Sequence, residues 1–137
     1  MTKVCELMTR EVVTIEANKT ALEAAKLMTE TERECLVVVD RGKPVGILTE
    51  RDFVRRIVVN NRDPAQARVS EFMSEPLIMV GPDVRINEAA RLMMENNVRR
   101  LPVVKDDKLL GIITSTDYVR HLSSGFTDYY KVIMRFI

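Results

Sequence analysis

The chain carries an internal duplication in which residues 4–55 align with residues 69–120, at a constant offset of 65 residues and without a gap. The match is densest in two stretches. Thr20–Met28 reads TALEAAKLM where 85–93 reads RINEAARLM, and Val45–Asp52 reads VGILTERD where 110–117 reads LGIITSTD. A duplication of this length is typical of two like substructures related by a pseudo-twofold axis. Any site to which one copy contributes is therefore expected to recur in the other copy.

Length and composition predict one ordinary folded domain. The 137 residues are 46% apolar and 30% charged, with a net charge of +1, enough for a sizeable core. A charge so close to zero gives no field that would attract nucleic acid or an anionic membrane. No apolar run approaches the ~20 residues that cross a bilayer, and the N-terminus lacks the hydrophobic core of a signal peptide. We therefore expect a cytoplasmic protein that binds neither membrane nor nucleic acid.

Few side chains are suited to catalysis or to metal binding. His121 is the only histidine, and Cys5 and Cys35 do not form a CxxC pair, so neither a zinc site nor a histidine-assisted nucleophile is expected. The two cysteines are interpreted as buried small hydrophobic residues rather than a disulfide. The chain also lacks a P-loop and a GxGxxG turn. We expect a protein that is not an enzyme and holds no metal or resident cofactor.

Each copy has the hydrophobic pattern of a β-α-β-β-α unit. The first copy is predicted to have strands at Val12–Ile15, Cys35–Val39 and Val45–Leu48, with helices beginning near Ala21 and at Thr49. The second copy is predicted to have a strand at Leu77–Val80, a helix at Ile86–Glu95, strands at Leu101–Val104 and Leu109–Ile113, and a helix from Ser115.

The helix starts differ between the copies. Thr20 and Glu23 have the spacing of a capping box, whereas Arg85 occupies the position of Thr20 in the second copy. The apolar residues predicted to face the core are Leu22, Ala25, Leu27 and Met28 in the first helix of copy one, and Phe53, Val54, Ile57 and Val58 in its second helix.

Neither copy alone can enclose a core, because three short strands and two helices leave one sheet face bare. The predicted fold class is α/β (α+β), with two gapless β-α-β-β-α repeats packed face to face in pseudo-twofold symmetry. Repeat 1 is assigned to residues 3–59, a polar linker with Pro64 to 60–67, and repeat 2 to 68–122. Residues 123–137 form an aromatic tail, interpreted either as a helix packed on its own chain or as an apolar face that contacts a second subunit.

The sharpest local signal is the motif Gly-Ile-x-Thr-x-x-Asp, which begins at Gly46 and again at Gly111. Its structural interpretation is a helix start, in which an N-cap Thr and an Asp at the third helical position contribute ~1 kcal/mol. Its functional interpretation is a sugar site, because a carboxylate at a helix start offers two acceptor oxygens to paired ribose hydroxyls and the Thr adds a third polar group. The motif residues alone leave both interpretations open.

Together with the EAAKLM and EAARLM helices and the stretch NNVRRLPVV at 96–104, this motif resembles a tandem pair of CBS (cystathionine-β-synthase-type) domains. The resemblance covers about residues 3–122. It implies a free-standing regulatory module that binds adenosyl ligands in two clefts between the repeats and commonly forms a disc-like homodimer. The implied ligands are AMP, ADP and ATP, with S-adenosylmethionine as a further one.

By this resemblance, Asp52 and Asp117 hold ribose hydroxyls, with Thr49 and Thr114 close to the sugar and phosphate. The adenine is expected between the motif isoleucine and the first strand of the opposite repeat. The first cleft is thus assigned Thr49, Asp52, Ile47, Leu77, Ile78, Val98, Arg99 and Arg100. The second cleft is assigned Thr114, Asp117, Ile112, Val12 and Val13.

The residue pair before the second strand differs between the repeats, and the family often uses this pair to contact phosphate. Repeat 2 has Arg99 and Arg100, whereas repeat 1 has Glu34 and Cys35. A guanidinium can bind phosphate through a bidentate fork, while Glu34 would repel it. The Asp52 cleft is therefore expected to be the better nucleotide site. The alternative is that Arg99 and Arg100 are a solvated lead-in to the strand.

The predicted function is sensing of adenine nucleotides by a homodimeric module, which signals cellular energy state to an unidentified partner protein through altered packing. One alternative is a protein-interaction scaffold with vacant clefts, in which the Thr and Asp residues serve only as caps. The other alternative is a nucleic-acid-associated CBS protein. Arg51, Arg55 and Arg56 are interleaved with acids and are interpreted as a solvated helix face rather than a nucleic-acid patch.

Overall fold

Two repeats of strands and helices make up residues 1–122, the part of the protein that the structure, a computed structural model, describes. The first repeat contains α1 (Val4–Leu7), β1 (Thr14–Glu16), α2 (Ala21–Thr31), β2 (Cys35–Asp40), β3 (Lys43–Thr49) and α3 (Glu50–Asp52), which continues as a π-helical segment over Phe53–Val58. The second contains α4 (Val69–Phe72), α5 (Ile86–Asn96), β4 (Arg100–Lys105), β5 (Lys108–Thr114) and α6 (Ser115–Leu122). The predicted mixed α/β class with two repeats is confirmed, and the predicted tail at 123–137 lies outside the described residues.

The strands of repeat 1 form a three-stranded sheet. β1 runs parallel to β2, and β3 runs antiparallel to β2, with Leu36 opposite Leu48 and Val37 opposite Ile47. Leu36, Val37 and Leu48 are fully buried, as the continuous apolar runs of β2 and β3 predict for strands covered on both faces. β4 and β5 pair as a second, two-stranded sheet.

The strand predicted at Leu77–Val80 is wrong. In this stretch only Val80 pairs, through a parallel bridge to Val103. The corresponding strand of repeat 1 does form, although it begins two residues later than predicted, at Thr14. The second sheet therefore lacks the parallel strand that the first sheet has.

Two prolines account for this difference between the sheets. In repeat 1 the N–H groups of Ala17 and Val37 each donate a hydrogen bond between the β1 region and β2, at 2.9 and 3.1 Å. The aligned residues in repeat 2 are Pro82 and Pro102, which have no N–H to donate. The parallel ladder of repeat 2 is thereby restricted to the bridge at Val80.

The predicted buried face of α2 is confirmed in part, since Met28 is buried and Leu27 packs against the core. Ala21, Ala24 and Met28 are buried, while Leu22 is 38% exposed. Spacings of three and seven residues place the three buried side chains on one helical face. The prediction for Leu22 is wrong, because Ala21 and Ala24 rather than Leu22 lie against the core.

The helix that follows β3 also departs from its predicted pattern. Ile57 is buried, and Phe53 packs edge-to-face on the fully buried Phe72, with ring centroids 5.1 Å apart. Val54 and Val58, four residues apart, share a different face and are 56% and 70% exposed. Half of the predicted apolar stripe therefore faces away from the core.

The chain packs as two compact units that do not coincide with the aligned copies. The repeat-1 unit comprises Glu11–Ile78 with Asp106–Leu109, and the repeat-2 unit comprises Met1–Arg10, Met79–Lys105 and the described residues from Leu110 onward. The segment that precedes each copy's first strand therefore packs with the other copy's body. We call residues 1–10 and 69–78 the lead segments.

Equivalent backbone hydrogen bonds hold the lead segment in each unit. In the repeat-2 unit the Val4 N–H donates to the Val84 carbonyl at 2.8 Å. In the repeat-1 unit the aligned Val69 N–H donates to the Lys19 carbonyl at 2.8 Å. Both valines are fully buried, so each of the short helices α1 and α4 is anchored by its backbone and by a buried valine, to which α4 adds the buried Phe72.

Two expectations from composition can be compared with the described residues. Cys5 and Cys35 are not joined in a disulfide, and each is half-buried, whereas the sequence predicted fully buried side chains. Among residues 1–122 no helix combines the length and apolarity needed to cross a membrane.

The caps of α2 and α5 differ as the sequence predicts. Thr20 Oγ1 accepts the Glu23 N–H at 3.1 Å, and the Glu23 carboxylate accepts the Thr20 N–H at 3.2 Å, which confirms the capping box. Arg85 gives α5 no side-chain cap.

The hydrogen bond from the Thr20 N–H lowers the pKa of Glu23 below its ordinary value of 4.5. The stabilisation it gives is present above about pH 4.5 and is lost as the pH falls further.

We expect Thr20→Ala to lower the free energy of unfolding by ~1 kcal/mol. Arg85→Thr should raise it by up to ~1 kcal/mol, because Glu88 already occupies the third position of α5 and would complete a capping box. Urea unfolding followed by circular dichroism measures both changes. Thr20→Ser, which keeps the hydroxyl acceptor, is the control. An Arg85→Thr variant no more stable than the parent protein would contradict this explanation.

Candidate functional site

The repeat-1 motif places a buried carboxylate where β3 meets α3. Thr49 ends β3 and the next residue begins α3, so Asp52 lies in the first helical turn. Asp52 Oδ2 accepts the Thr49 N–H at 2.9 Å and lies 3.4 Å from the Thr49 hydroxyl. Only 5% of Asp52 is exposed. The helix-start geometry predicted from the motif is confirmed, and it uses one of the two carboxylate oxygens.

The second oxygen of Asp52 is held from the lead segment. The Ser74 hydroxyl donates to Asp52 Oδ1 at 2.8 Å, and Arg56 Nε lies 4.0 Å from the same oxygen. The Arg56 guanidinium also donates to two backbone carbonyls of the lead segment, at 3.2 and 2.7 Å. Sequence reasoning missed Ser74 and interpreted Arg56 as part of a solvated helix face, whereas its guanidinium contacts Asp52 and the lead segment. The available signal was that Thr9 aligns with Ser74, so that both copies carry a hydroxyl there.

The repeat-2 motif builds the same helix start at α6. Asp117 Oδ2 accepts the Thr114 N–H at 2.9 Å and the Thr114 hydroxyl at 3.0 Å, while the Asp117 N–H donates to Thr114 Oγ1 at 3.1 Å. Asp117 is 8% exposed. The carboxylate is therefore held by the same atoms as its counterpart in repeat 1.

The two carboxylates differ at their second oxygen. Among the described residues, Asp117 Oδ1 has only the Arg120 guanidinium, at 3.5 Å, on a side chain that is 63% exposed. Asp52 Oδ1 instead has the hydroxyl of Ser74 at 2.8 Å. Because an exposed ion pair is weak and screened by salt, Asp52 is the more firmly fixed of the two.

Each motif isoleucine pairs with the lead segment of its unit. Ile47 and Ser74 exchange two backbone hydrogen bonds, at 3.1 and 2.8 Å, and Thr9 and Ile112 exchange two at 2.9 Å. These antiparallel bridges bring each lead segment against the strand that leads to the carboxylate. The contacts that hold each lead segment in its unit therefore also position the strand that leads to the carboxylate.

The motif glycines are required by this close approach. A Cβ at Gly46 would lie 2.6 Å from the sulfur of Met73 and 3.1 Å from the Ser74 carbonyl oxygen. At Gly111 it would lie 2.7 Å from the Thr9 carbonyl oxygen. A side chain at either position would therefore push the lead segment away from the strand.

The structure distributes the predicted site residues over both units. The repeat-1 unit contains Ile47, Thr49, Asp52, Leu77, Ile78, Val12 and Val13. The repeat-2 unit contains Val98, Arg99, Arg100, Ile112, Thr114 and Asp117. Each predicted cleft combines residues from both units, so the assignment of these residues to two clefts remains a prediction.

Within the repeat-2 unit, Arg99 lies beside the helix start of Asp117. The Arg99 carbonyl accepts the Ser115 N–H at 2.9 Å, and its side chain is exposed. Leu77 and Ile78 of the repeat-1 unit are half-buried and follow Ser74 closely in the chain. Their side chains, like that of Arg99, are accessible from solvent.

A family model of the CBS domain matches residues 4–59 and 69–124. The chain therefore belongs to the CBS-domain family, as a tandem pair. It is 38% identical over 117 residues to the CBS domain-containing protein YhcV of Bacillus subtilis, which covers 85% of this chain and 83% of YhcV. An uncharacterized protein of Methanopyrus kandleri is 39% identical over 117 residues, which covers 84% of this chain and 60% of that longer relative.

Solved structures of CBS proteins have the same fold. A CBS-domain protein from Burkholderia ambifaria superposes with a TM-score of 0.84 at 33% identity, covering 93% of this chain and 99% of that one. The CBS domain pair of protein MJ0100, solved with 5′-methylthioadenosine and S-adenosyl-L-methionine, gives a TM-score of 0.81 at 28% identity, covering 92% of this chain and 99% of that one. CBS pairs are commonly regulatory ligand-binding modules.

We expect Gly111→Ala to destabilise the protein more than Gly46→Ala. The Cβ at position 111 meets a backbone oxygen at 2.7 Å, whereas the nearest atom at position 46 is the end of a flexible methionine. The cost should be ~2–3 kcal/mol for Gly111→Ala and ~1 kcal/mol for Gly46→Ala, measured by urea unfolding. Gly81→Ala, whose Cβ would meet only a methyl group at 3.9 Å, is the matched control. Equal losses for the two motif glycines would contradict the ranking.

Proposed function

We propose that this protein is a regulatory module that binds adenosyl ligands, and that Asp52 and Asp117 each accept the ribose hydroxyls of one ligand. The observation that carries the proposal is the burial of both carboxylates, which are 5% and 8% exposed. A capping role alone does not require burial, since Glu23 and Glu71 accept backbone N–H bonds at other helix starts while exposed. Burying a charged carboxylate is costly, which supports a further role for these two.

The geometry of the carboxylates suits a vicinal diol. Each oxygen of a carboxylate has two acceptor positions, so Asp52 Oδ1 can accept a ribose hydroxyl beside the Ser74 hydroxyl. Asp117 Oδ1, with its 3.5 Å contact to Arg120, leaves still more room for such a donor. A negative charge at this position repels phosphate, so a ligand would present its sugar here and direct any phosphates elsewhere.

The proposed class of ligand is defined by the adenosyl group, which all of the candidate ligands share. The CBS pair of MJ0100 was solved with 5′-methylthioadenosine and S-adenosyl-L-methionine, which have an adenosyl group and no phosphate. That similarity supports the adenosyl group as the common element recognised in this chain as well. AMP, ADP and ATP are the finer proposal, which depends on Arg99 and Arg100 acting as phosphate contacts of the Asp52 site.

Regulation requires that the ligand bind two packings of the protein with different affinity, because equal affinity would shift no equilibrium. We propose that a cytoplasmic homodimer responds to its ligand in this way and passes the change to a partner protein without covalent chemistry.

Isothermal titration calorimetry with AMP, ATP, adenosine and S-adenosylmethionine tests the binding step. 2′,3′-Dideoxyadenosine, which lacks both ribose hydroxyls, should bind at least tenfold more weakly than adenosine.

A scaffold with vacant clefts is the second candidate, and one observation favours it. Each aspartate already has its own threonine as a hydrogen-bond partner, so the protein does not need a ligand to satisfy these groups. A thermal-shift series decides between the two functions, since a ligand that binds only the folded state raises the melting temperature. No shift with any adenosyl compound at millimolar concentration would favour the scaffold.

We expect Asp52→Ala to remove most of the heat of AMP binding and Asp117→Ala to remove less. The reason is the predicted pairing of the Asp52 site with Arg99 and Arg100, against Glu34 and Cys35 for the Asp117 site. Loss of a charge-assisted hydrogen bond should weaken the affected site roughly tenfold or more. Titration calorimetry of both variants measures this. Asp40→Ala, which removes an exposed carboxylate at the end of β2, is the control. The reverse ranking would refute the predicted asymmetry.

A further inference from the structure

Arg56 joins the buried carboxylate of repeat 1 to its lead segment. Its Nη1 donates to the Phe72 and Met73 carbonyls at 3.2 and 2.7 Å, and its Nε lies 4.0 Å from Asp52 Oδ1. The Arg56 side chain is 48% exposed, whereas the carboxylate beside it is buried. One half-exposed side chain therefore contacts both the carboxylate that accepts the Ser74 hydroxyl and the segment that carries this hydroxyl.

The bond to Met73 restricts the peptide unit that leads into Ser74. The carbonyl of this peptide accepts Arg56 Nη1 at 2.7 Å, and its N–H, which belongs to Ser74, donates to the Ile47 carbonyl at 2.8 Å. Because a peptide unit is planar, bonds at both ends restrict its orientation and the direction in which the Ser74 side chain leaves the backbone. In this orientation the Ser74 hydroxyl reaches Asp52 Oδ1 at 2.8 Å.

Capping of α4 is the structural interpretation of the Arg56 bonds. α4 ends at Phe72, and the last carbonyls of a helix lack partners within it, so basic side chains often satisfy them. Capping accounts for the two bonds of Nη1. It does not account for Nε, which lies on the side of the Asp52 carboxylate, and a planar guanidinium presents both nitrogens in fixed directions. The side chain thus links the end of α4 to the candidate site.

Within residues 1–122, repeat 2 has neither a guanidinium bonded to its lead segment nor a hydroxyl bonded to its carboxylate from that segment. His121 aligns with Arg56 and is exposed. Thr9 still exchanges two backbone hydrogen bonds with Ile112, at 2.9 Å. In this part of the chain, however, the bonds to the Asp117 carboxylate come only from its own helix start and from α6. Backbone pairing of the lead segment therefore does not by itself bring a hydroxyl onto the carboxylate.

We propose that Arg56 is a positioning residue of the Asp52 site. It holds the peptide between Met73 and Ser74 so that the Ser74 hydroxyl occupies one acceptor position of Oδ1 and the other stays open to a ribose hydroxyl. An acceptor fixed before the ligand arrives lowers the ordering cost of binding. This role rests on the proposed function, in which a ribose hydroxyl binds Asp52. Unlike the phosphate contacts predicted from repeat 2, it favours the Asp52 site even for a ligand without phosphate.

The ribose selectivity of the Asp52 site tests this role. An Asp117→Ala background leaves Asp52 as the one motif carboxylate, and titration calorimetry compares adenosine with 2′,3′-dideoxyadenosine, which lacks both ribose hydroxyls. We expect Arg56→Met to reduce the preference for adenosine at least about threefold, because only adenosine uses the positioned oxygen. An equal loss of affinity for both ligands would indicate general structural damage and would overturn the positioning role.

Two further variants separate position from charge. Arg55→Met makes the same substitution one residue away, on an exposed side chain, and should leave the preference for adenosine unchanged. Arg56→Lys keeps the positive charge but not the planar guanidinium, so it should restore only part of the preference lost in Arg56→Met. Full restoration by lysine would assign the effect to charge alone and would contradict positioning. Arg56→Gln replaces Arg56→Met if the latter fails to fold by circular dichroism.

Amide exchange in the ligand-free protein tests the positioning without a ligand. By NMR, the Ser74 N–H should exchange at least about threefold faster in Arg56→Met than in the parent protein, and no faster in Arg55→Met. Unchanged exchange at Ser74 would overturn the positioning role whatever ligand binds. Faster exchange with no adenosine binding in the Asp117→Ala background would refute the proposed function at Asp52 and leave Arg56 as a helix cap. Adenosine binding with an unchanged preference would refute the role of Arg56 alone.

Discussion

The pairing of each lead segment with the last strand of its unit is the interaction on which the rest of the structure depends. Two backbone hydrogen bonds join Ser74 to Ile47, and two join Thr9 to Ile112. The adjacent glycines permit this approach, because any Cβ there would collide with the lead segment. Since the lead segment of each repeat packs with the body of the other, neither aligned copy is a packing unit by itself.

The same pairing completes the candidate site. In the repeat-1 unit it brings the Ser74 hydroxyl to 2.8 Å from the second oxygen of Asp52, while the first oxygen is held by the start of α3. The carboxylate is thus fixed from two directions, by its own helix and by a segment 22 residues away in the chain. Fixing a buried acceptor before a ligand arrives lowers the ordering cost of binding.

The two copies align without a gap, but several aligned positions carry side chains of different chemistry. Prolines at 82 and 102 remove two donors and restrict one parallel ladder, and Arg85 removes one helix cap. Replacement of Glu32 and Glu50 by Asn97 and Ser115 changes the charge of one helical surface. Two units of one design therefore differ in sheet pairing, in helix capping, in surface charge and in the environment of their carboxylates.

The sequence by itself determined the duplication, the order of the longer strands and helices, the capping box at Thr20 and the helix starts that hold Asp52 and Asp117, but not the short helices α1 and α4. These features depend on periodicity and on hydrogen bonds between residues three or four positions apart. Only the tertiary structure decided which face of α2 is buried, that Val54 and Val58 are exposed, and that Ser74 reaches Asp52. Those outcomes depend on contacts between distant segments, whose positions follow from the exchange of lead segments rather than from any local pattern.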